Sequence, residues 1–430
     1  MKIFRFIAVL LMIVMVTGTA LPALSARADE PAYAAPEPFR AEAVLLAETT
    51  TGTELFEQNS RVRRSPDALA KLMTLLLAAE AVARGELADG QVLEDLFSAL
   101  VGNSDASADA VAVTVSGSVE AFVAAMNARA AQLGCTDTNF TNTSGAADSR
   151  QYTTAYDLFL IACAGIKLPV FIEVAGAQSH NGATNANQML LPQRTKYYYK
   201  YCVFGSVSAS YEGGLGAVEY AERDGMNTVA VILGSRDEVL EDESTQLHNL
   251  SEARRLLEWG HQNYAWRHIL TSLDLVARAA VELGDGADYV NLRPVREVTM
   301  LLRRDLPNDT VTREIHVYSE ERGTPLTAPV EAETELGEVV LLLNGEEIDR
   351  VTLVANTTVR LQRVKLFTSR LKSMLGGPPA KLIILLVAIF FTIYLVIVIR
   401  SQSLRARHVR EQSAADAAQR QADADAQNRQ

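Results

Sequence analysis

The chain has 430 residues, of which 48% are hydrophobic and 21% charged, and its formal net charge at pH 7 is −12. This length leaves room for two domains with further segments outside them. The acidic balance, without a basic patch interleaved with aromatic residues, argues against a nucleic-acid partner. Cys135, Cys163 and Cys202 form no C-x-x-C pair and no metal-ligand spacing with the histidines, so we expect buried free thiols and no metal or other cofactor.

The N-terminal residues have the pattern of a secretory signal peptide. Lys2 and Arg5 precede an apolar run over residues 6–16, and the small-residue sequence Ala-Arg-Ala follows at residues 26–28. This pattern predicts a signal peptide over residues 1–28. An uncleaved anchor is the alternative, although the apolar core is shorter than a membrane span requires.

A second apolar run lies near the other end of the chain. Residues 382–399 contain no charged side chain and are long enough for a transmembrane helix. Arg400, Arg405, Arg407 and Arg410 follow this run and indicate its cytoplasmic side. We therefore expect a single-pass membrane protein whose bulk lies outside the cytoplasm.

The first folded segment is predicted to be a strand pair followed by a buried helix. Residues 41–46 and 55–59 have strand character, and Thr51 and Gly52 form the turn between them. The helix begins within residues 67–74, Asp-Ala-Leu-Ala-Lys-Leu-Met-Thr. One face of this helix carries four apolar residues, Leu69, Leu72, Leu76 and Ala79.

Residues 67–74 resemble the start of the serine-type D-alanyl-D-alanine carboxypeptidases, the low-molecular-weight penicillin-binding proteins of peptidase family S11. In that family the turn carries Ser-x-x-Lys, then Leu or Ile, Met and Thr. Lys71 and the three residues after it match, but the serine position is Ala68. The resemblance implies that the missing hydroxyl would be the nucleophile and that Lys71 would help to activate it. Ser65 lies six residues before Lys71, and its spacing does not support it as a substitute.

The family's second motif, Ser-x-Asn, stands on a loop before an alanine-rich helix and a Ser-Gly-Ser turn. That turn is present at residues 116–118. Counting back without gaps places Asn103 at the serine and Asp105 at the asparagine. A shift of one residue offers Ser104 instead, but no asparagine follows two residues later. Ser104 is then either a proton relay or, as the pattern favours, a polar cap at the helix start.

The family's third motif, Lys-Thr-Gly, lies on an edge strand beside the nucleophile, where the lysine and threonine hold the substrate carboxylate. Residues 196–201 and 223–226 fix the register of this region. The motif then falls on Ser206, Val207 and Ser208. The resemblance therefore implies that the cation, the threonine hydroxyl and the glycine have all been replaced.

Further stretches resemble the family's framework and indicate fold more than chemistry. They are residues 133–145, 152–158 and 185–191. A strand at residues 228–234 and a helix at residues 247–268 are predicted to close this domain. His248, His261 and His268 lie on or near that helix, and we expect solvated or capping roles for them.

From about Asp274 the sequence changes to short strand-like segments. Asn344 and Gly345 predict a two-residue hairpin turn between two of them. This region resembles the family's small C-terminal β-sandwich. Its predicted strands are residues 298–302, 315–318, 339–343 and 348–354. Residues 364–374 would form either an interfacial amphipathic helix or part of an ordinary linker. The tail beyond Arg410 is expected to be a frayed helix or disordered.

The predicted fold class is α/β (α+β). It comprises a penicillin-binding/β-lactamase-like domain with an antiparallel sheet flanked by helices, then a small β-sandwich and one transmembrane helix. The predicted boundaries are 1–28 for the signal peptide, 38–270 for the carboxypeptidase-like domain, 274–363 for the β-sandwich, 364–381 for the juxtamembrane linker, 382–399 for the transmembrane helix and 400–430 for the cytoplasmic tail.

The departures at all three motifs predict a family member without catalysis at a bacterial cell membrane. Its partners would be peptidoglycan stem peptides or cell-wall enzymes. The alternative is an active carboxypeptidase or serine hydrolase with a rearranged nucleophile, for which the candidates are Ser65, Ser104, Ser206 and Cys202. Lys71 would be either a remnant or a structural residue that caps the helix or pairs with an acid such as Asp67.

Overall fold

The computed structural model describes residues 36, 38–87, 89–192, 195–210, 213–239 and 245–427. The predicted signal peptide, residues 1–28, lies outside these described residues. The chain divides into two compact units, Met1–Trp266 with Leu301–Asp305 and Arg267–Met300 with Leu306–Gln430.

The first unit combines helices with an antiparallel sheet. Its helices are α1 Lys71–Ala83, α2 Asp89–Leu100, α3 Asp105–Ser116, α4 Val119–Leu133, α5 Ala155–Gly165, α6 Pro169–Ala175 and α7 His248–Asn263. Its strands are β1 Ala43–Glu48, β2 Glu54–Gln58, β3 Ser179–His180, β4 Ala183–Thr184, β5 Cys202–Ser210, β6 Gly214–Arg223, β7 Met226–Ser235, β8 Glu238–Val239 and β9 Thr245–Gln246. Short 3-10 turns lie at Asp67–Ala70 and Gln188–Leu190.

The central sheet has five strands in the order β2-β1-β7-β6-β5, and every neighbouring pair is antiparallel. Apolar side chains on one face of this sheet pack against α1 and the helices around it. The other face packs against α7 through Leu250, Leu256 and Leu257. The predicted antiparallel sheet flanked by helices is therefore confirmed. Strand β5 lies at one edge of the sheet.

Helix α1 lies at the centre of the larger core because nearly all of its residues are apolar. Leu69 in the preceding turn and Leu72, Leu76 and Ala79 in the helix are buried, as their helical spacing predicts. The Thr74 hydroxyl donates to the Thr143 carbonyl at 2.7 Å. This contact ties the helix to the loop that contains Gly145.

Helix α7 ends earlier than the predicted limit at residue 268. Tyr264 follows the helix with extended dihedral angles, φ −118° and ψ 153°. It begins strand β10, Tyr264–Leu270, whose aromatic and branched residues favour extended structure. The prediction of a helix over residues 264–268 was therefore wrong.

Between residues 264 and 355 the chain is mainly strands. After β10 these are β11 Ala277–Glu282, β12 Tyr289–Pro294, β13 Val298–Arg303, β14 Val311–Val317, β15 Leu326–Thr327, β16 Glu335–Leu343 and β17 Glu346–Ala355, with a short helix α8 at Tyr318–Glu321. The larger sheet has the order β14-β16-β17-β12-β11-β15, and β10 pairs with β13. Asn344 and Gly345 have φ of 54° and 84° between β16 and β17, so the predicted hairpin turn is confirmed.

The C-terminal residues of the second unit form two helices, α9 Arg363–Gly376 and α10 Pro378–Gln427. The predicted linker is therefore helical, and the break at Gly377 precedes a proline, which cannot continue the hydrogen-bond ladder. The tail beyond Arg410 is also helical up to Gln427, consistent with its alanine, glutamine and arginine content. By length and composition, a span within Lys381–Ala418 could cross a membrane.

The first unit also contains two bent helix pairs, α3 with α4 and α5 with α6. Each pair is long and apolar enough to cross a membrane only if its two helices count as one broken span. Their side chains Val111, Phe122, Phe159 and Phe171 are buried in the core of that unit. This burial is typical of helices in a globular domain.

Gly145 lies directly against the backbone of the turn Asp67–Ala70 and leaves no room there for a side chain. Its φ is +88°, and a β-carbon there would lie 1.7 Å from the backbone oxygen of Asp67. We expect Gly145→Ala to lower the free energy of unfolding by about 3 kcal/mol or more, because left-handed strain and a backbone clash add together. Thermal or urea unfolding of the full-length protein in detergent measures this change.

Gly182 provides the matched control, because its φ is +85° and its added β-carbon would meet nothing within 4 Å. Gly182→Ala should therefore lower the free energy of unfolding by only about 1 kcal/mol. Equal losses for the two variants would contradict the role assigned to Gly145.

Candidate functional site

The turn Asp67–Ala70 and the start of α1 position Ala68 and Lys71. Asp67 adopts φ +44° and is mostly buried. This left-handed residue places Ser65 and Ala68 in different surroundings. The Ser65 hydroxyl donates to the Asp67 carboxylate at 2.7 Å, whereas Ala68 lines a cleft beside β5.

The cleft has a volume of about 190 Å³. It brings together Ala68, Asn103 and the three residues Ser206, Val207 and Ser208 of β5. The other described residues that line it are Leu100, Asn185, Ala186, Gly205, Leu215, Leu247, Asn249 and Leu250. Positions that are far apart in the sequence, and that the family resemblance assigns to three motifs, therefore surround one small cavity.

Lys71 is almost fully buried, with a side chain only 3% exposed. Its ammonium group donates to Asn103 Oδ1 at 2.6 Å and forms an ion pair with Asp105 Oδ1 at 2.8 Å. Pairing with an acid was one expectation for Lys71, but the acid is Asp105 and not Asp67, the example the sequence offered. The partners come from the loop before α3, where Asn103 has φ +50°.

Ser104 lies between these two partners and caps α3. Its hydroxyl accepts a hydrogen bond from the backbone amide of Ser107 at 3.1 Å. Of the two roles that the sequence allowed for Ser104, proton relay and helix cap, this contact is the helix cap. Asn103 and Asp105, and not Ser104, contact Lys71.

Strand β5 forms one wall of the cleft at the edge of the sheet. Ser206 pairs with Val218, and Ser208 pairs with Gly216, in the antiparallel register with β6. Gly216 permits close packing, because a β-carbon there would lie 2.6 Å from Ser208 Oγ and 2.9 Å from Leu69 Cδ1. Because Gly216 of β6 has no side chain, the turn Asp67–Ala70 can approach β5.

Three of the four candidate substitute nucleophiles, Ser65, Ser104 and Cys202, do not line the cleft. Ser65 lines a separate cavity of about 540 Å³ that also contains Arg63, Arg64 and Arg236. The Cys202 thiol donates to the Glu219 carboxylate at 3.3 Å, and burial raises the pKa of this thiol well above its usual value. A protonated thiol is a poor nucleophile. Ser206 and Ser208 do line the cleft.

Glu219 is a buried acid that the sequence analysis did not single out. Its carboxylate accepts from Asn187 Nδ2 at 2.8 Å, and burial raises the pKa of Glu219 to about 8. A β-carbon at Gly205 would lie 2.0 Å from Glu219 Oε2, so the carboxyl lies directly against this cleft-lining glycine. The signal available in the sequence was a glutamate within the apolar run of β6.

His261 corrects the expectation of solvated or capping histidines. It is buried and forms hydrogen bonds with Tyr199 at 2.9 Å and Thr228 at 3.1 Å. Burial lowers the pKa of His261 to about 4, so the ring is neutral at pH 7. Within the described part of the chain no group of three or more His, Cys, Asp or Glu could hold a metal ion. The three cysteines are free.

The pairing of Lys71 makes a testable contribution to stability. Asp105→Ala should lower the free energy of unfolding by about 1–3 kcal/mol, because it removes the counter-charge of a buried ammonium group. Glu86→Ala is the control, since Glu86 pairs with Arg84 at the surface and both side chains are 54% exposed. That variant should leave the free energy of unfolding nearly unchanged, because an exposed ion pair contributes little to stability.

Replacing the buried lysine should abolish the effect of Asp105→Ala. In a Lys71→Met background Asp105→Ala should cost little, because no buried charge is left without a partner. Unfolding of the full-length protein in detergent measures all four variants. A cost for Asp105→Ala no larger than that for Glu86→Ala would contradict this account of Lys71.

Comparison with known proteins places this cleft in a family context. A sequence model described as D-alanyl-D-alanine carboxypeptidase matches residues 88–237. The D-alanyl-D-alanine carboxypeptidase DacF of Bacillus subtilis is 23% identical over 351 residues, which cover 74% of this chain and 86% of the relative. DacD of Escherichia coli, with the same description, is 25% identical over 361 residues, covering 75% of this chain and 88% of the relative.

Solved structures show the same fold. Penicillin-binding protein 5 of Haemophilus influenzae matches with a TM-score of 0.54 and 21% identity, covering 76% of this chain and 100% of that one. Penicillin-binding protein 6B of Escherichia coli matches with a TM-score of 0.55 and 20% identity, covering 76% of this chain and 98% of that one. The family model, the curated relatives and the solved structures agree: this chain is similar in sequence and fold to the D-alanyl-D-alanine carboxypeptidases, peptidase family S11.

Proposed function

We propose that this protein is a membrane-tethered, non-catalytic member of the family that binds peptidoglycan stem peptides in the cleft beside β5. The observation that carries the proposal is the environment of residue 68. A methyl group lines the cleft where the family's serine hydroxyl would stand. Lys71, which would activate that hydroxyl, is buried and held by Asn103 and Asp105.

Acyl transfer requires a nucleophile and a group to accept its proton. Loss of the nucleophile alone typically lowers turnover by about 10⁶. Here the neighbouring lysine is buried, and its amino group is held by Asn103 Oδ1 at 2.6 Å and by Asp105 Oδ1 at 2.8 Å. Because no hydroxyl occupies position 68 and this lysine is already held by two partners, the site favours binding over chemistry.

The fold still offers a substrate-like peptide a place to bind. Ala68, Asn103 and β5 enclose a cavity of about 190 Å³ with polar and apolar walls. Stem peptides are the substrates on which the family acts, and we assign them to this cleft as ligands. Recruitment of cell-wall enzymes by the bound protein would follow from that location, and crosslinking in intact cells tests it.

The tether is the apolar part of α10, residues 382–399, with the bulk of the protein outside the bacterial cytoplasm and the tail from residue 400 inside. Arg405, Arg407 and Arg410 support this orientation. Protease added to spheroplasts should remove the two folded units and spare a tag fused after residue 430. Digestion of the tag with protection of the folded units would contradict the orientation.

An active hydrolase with a rearranged nucleophile is the second candidate. The observation in its favour is that Ser206 and Ser208 line the same cleft as Ala68. Neither follows the helical Ser-x-x-Lys geometry, and Lys71 is engaged by Asp105. A penicillin adduct that disappears in Ser206→Ala or Ser208→Ala would support this candidate.

Intact-mass spectrometry of the full-length protein after incubation with a penicillin tests the proposed function. We expect no mass increase and no release of D-alanine from a peptide that ends in D-Ala-D-Ala, because no hydroxyl occupies position 68. DacA of Escherichia coli, a D-alanyl-D-alanine carboxypeptidase, serves as the positive control. An increase of one acyl group in a cooperatively folding sample would overturn the proposal, and peptide mapping would locate the nucleophile.

A further inference from the structure

The cleft beside β5 has an uncharged lining. Among the described residues around it there is no Asp, Glu, Lys, Arg or His. We propose that it binds an extended peptide segment whose carboxyl end is in amide linkage, and that it excludes a peptide ending in a free carboxylate. This inference rests on the proposed function and specifies the ligand of the same site.

The first step concerns charge. A carboxylate that enters a small cavity loses hydration, and this loss is unfavourable unless a cation or several donors replace the water. Lys71 is the cation of the first motif, but its side chain is only 3% exposed and already pairs with Asp105. Ser206 stands where the resemblance would place a second cation. A free carboxylate therefore finds no counter-charge among the described lining residues.

The second step concerns hydrogen bonding. Amides and hydroxyls supply the polar part of the lining, and they match the donors and acceptors of a peptide main chain. Asn103 uses its Oδ1 to accept from Lys71, and no described residue accepts from its Nδ2. Asn249 donates through Nδ2 to the Gly216 carbonyl at 2.8 Å, which leaves Oδ1 without a partner among the described residues. Asn249 Oδ1 is buried, so the polar groups that the cleft offers without net charge include the Asn103 amide and the Ser206 hydroxyl.

The third step concerns the sheet edge. Strand β5 pairs with β6 on one side, and no described strand pairs with its other side. An unpaired strand edge binds extended peptides through main-chain hydrogen bonds, with side-chain pockets giving specificity. Residues 205–208 of this edge lie in the cleft. Apolar walls from Leu100, Leu215 and Leu250 suit small aliphatic side chains.

The size of the cavity limits what the ligand can be. A volume of about 190 Å³ lies below the roughly 300–1,000 Å³ of typical small-molecule pockets. The segment inside the cavity is therefore short and carries small side chains such as alanine. A stem peptide whose terminal alanine is joined to another group through an amide meets this description, whereas an unlinked stem with a free carboxylate does not.

A pair of synthetic peptides tests the inference. One is the diacetylated tripeptide L-Lys-D-Ala-D-Ala with a free carboxyl end, and the other is the same peptide as its C-terminal amide. Binding to the full-length protein in detergent micelles is measured by NMR line broadening over a concentration series. We expect the amide to bind more tightly by a factor of about ten or more, because an unpaired buried charge costs at least that much.

A matched pair of lysine variants locates the effect. Ser206→Lys adds a cation to the cleft and should shift the preference towards the free acid by a factor of about ten. Ser149→Lys adds the same charge at an exposed residue of the separate arginine-containing cavity and should leave the preference unchanged. Melting temperatures of both variants check that they remain folded.

The outcomes distinguish the inference from the proposed function. Equal or tighter binding of the free acid by the unmodified protein overturns the inference alone. The same holds if Ser149→Lys shifts the preference as much as Ser206→Lys does. If neither peptide binds, both the inference and the assignment of stem peptides as ligands are overturned. Release of D-alanine from the free acid overturns the non-catalytic function.

Discussion

The buried ammonium group of Lys71 is the constraint on which the rest of the cleft depends. A cation with a 3% exposed side chain is tolerated only with a counter-charge and hydrogen-bond acceptors. Asp105 and Asn103 meet this requirement and tie the core helix α1 to the loop before α3. The charge of Lys71 therefore holds α1 and the loop before α3 together. The cleft beside it is left with a neutral lining.

This arrangement gives the departures from the family motifs a common physical meaning. A serine at position 68 would need an adjacent base, and Lys71 is instead held by Asn103 and Asp105. A neutral β5 edge at Ser206–Val207–Ser208 likewise removes the partner of a terminal carboxylate. The three changes are mutually consistent for a cleft that holds peptide without reacting with it. Under the proposed function, each departure changes charge, hydrogen bonding or side-chain size on a fold shared with solved penicillin-binding proteins.

Much of the fold could be predicted because its signals are local and strong. The apolar face of α1, the continuous apolar sequence of β7 and the Asn344–Gly345 turn each follow from short-range spacing and backbone preference. The end of α7 could not be predicted, because the pairing of β10 with β13 overrides the helical pattern at Tyr264. His261 was misjudged for a related reason, since its burial depends on Tyr199 and Thr228, which are distant in the sequence.

The candidate site was predictable in position and less so in its interactions. Counting from the motifs located Ala68, Asn103 and Ser206, which the fold brings to one cavity. Spacing alone could not show that Lys71 pairs with Asp105, because the loop before α3 brings the two together. Nor could it show that Asp67 separates Ser65 from the cleft, because that depends on a left-handed backbone fixed by Gly145. Glu219 and Asn249 stood outside any motif.

The account's central claim is that an acyl-transfer site has lost its chemistry while its scaffold remains. The most direct measurement is penicillin acylation of a rebuilt protein carrying Ala68→Ser, Asp105→Asn, Ser206→Lys, Val207→Thr and Ser208→Gly. The account predicts a covalent adduct on residue 68 in this variant, none in the natural protein, and little in Ala68→Ser alone because Lys71 remains paired. Equal acylation of the natural protein, or an adduct of the rebuilt variant that maps to another residue, would contradict it.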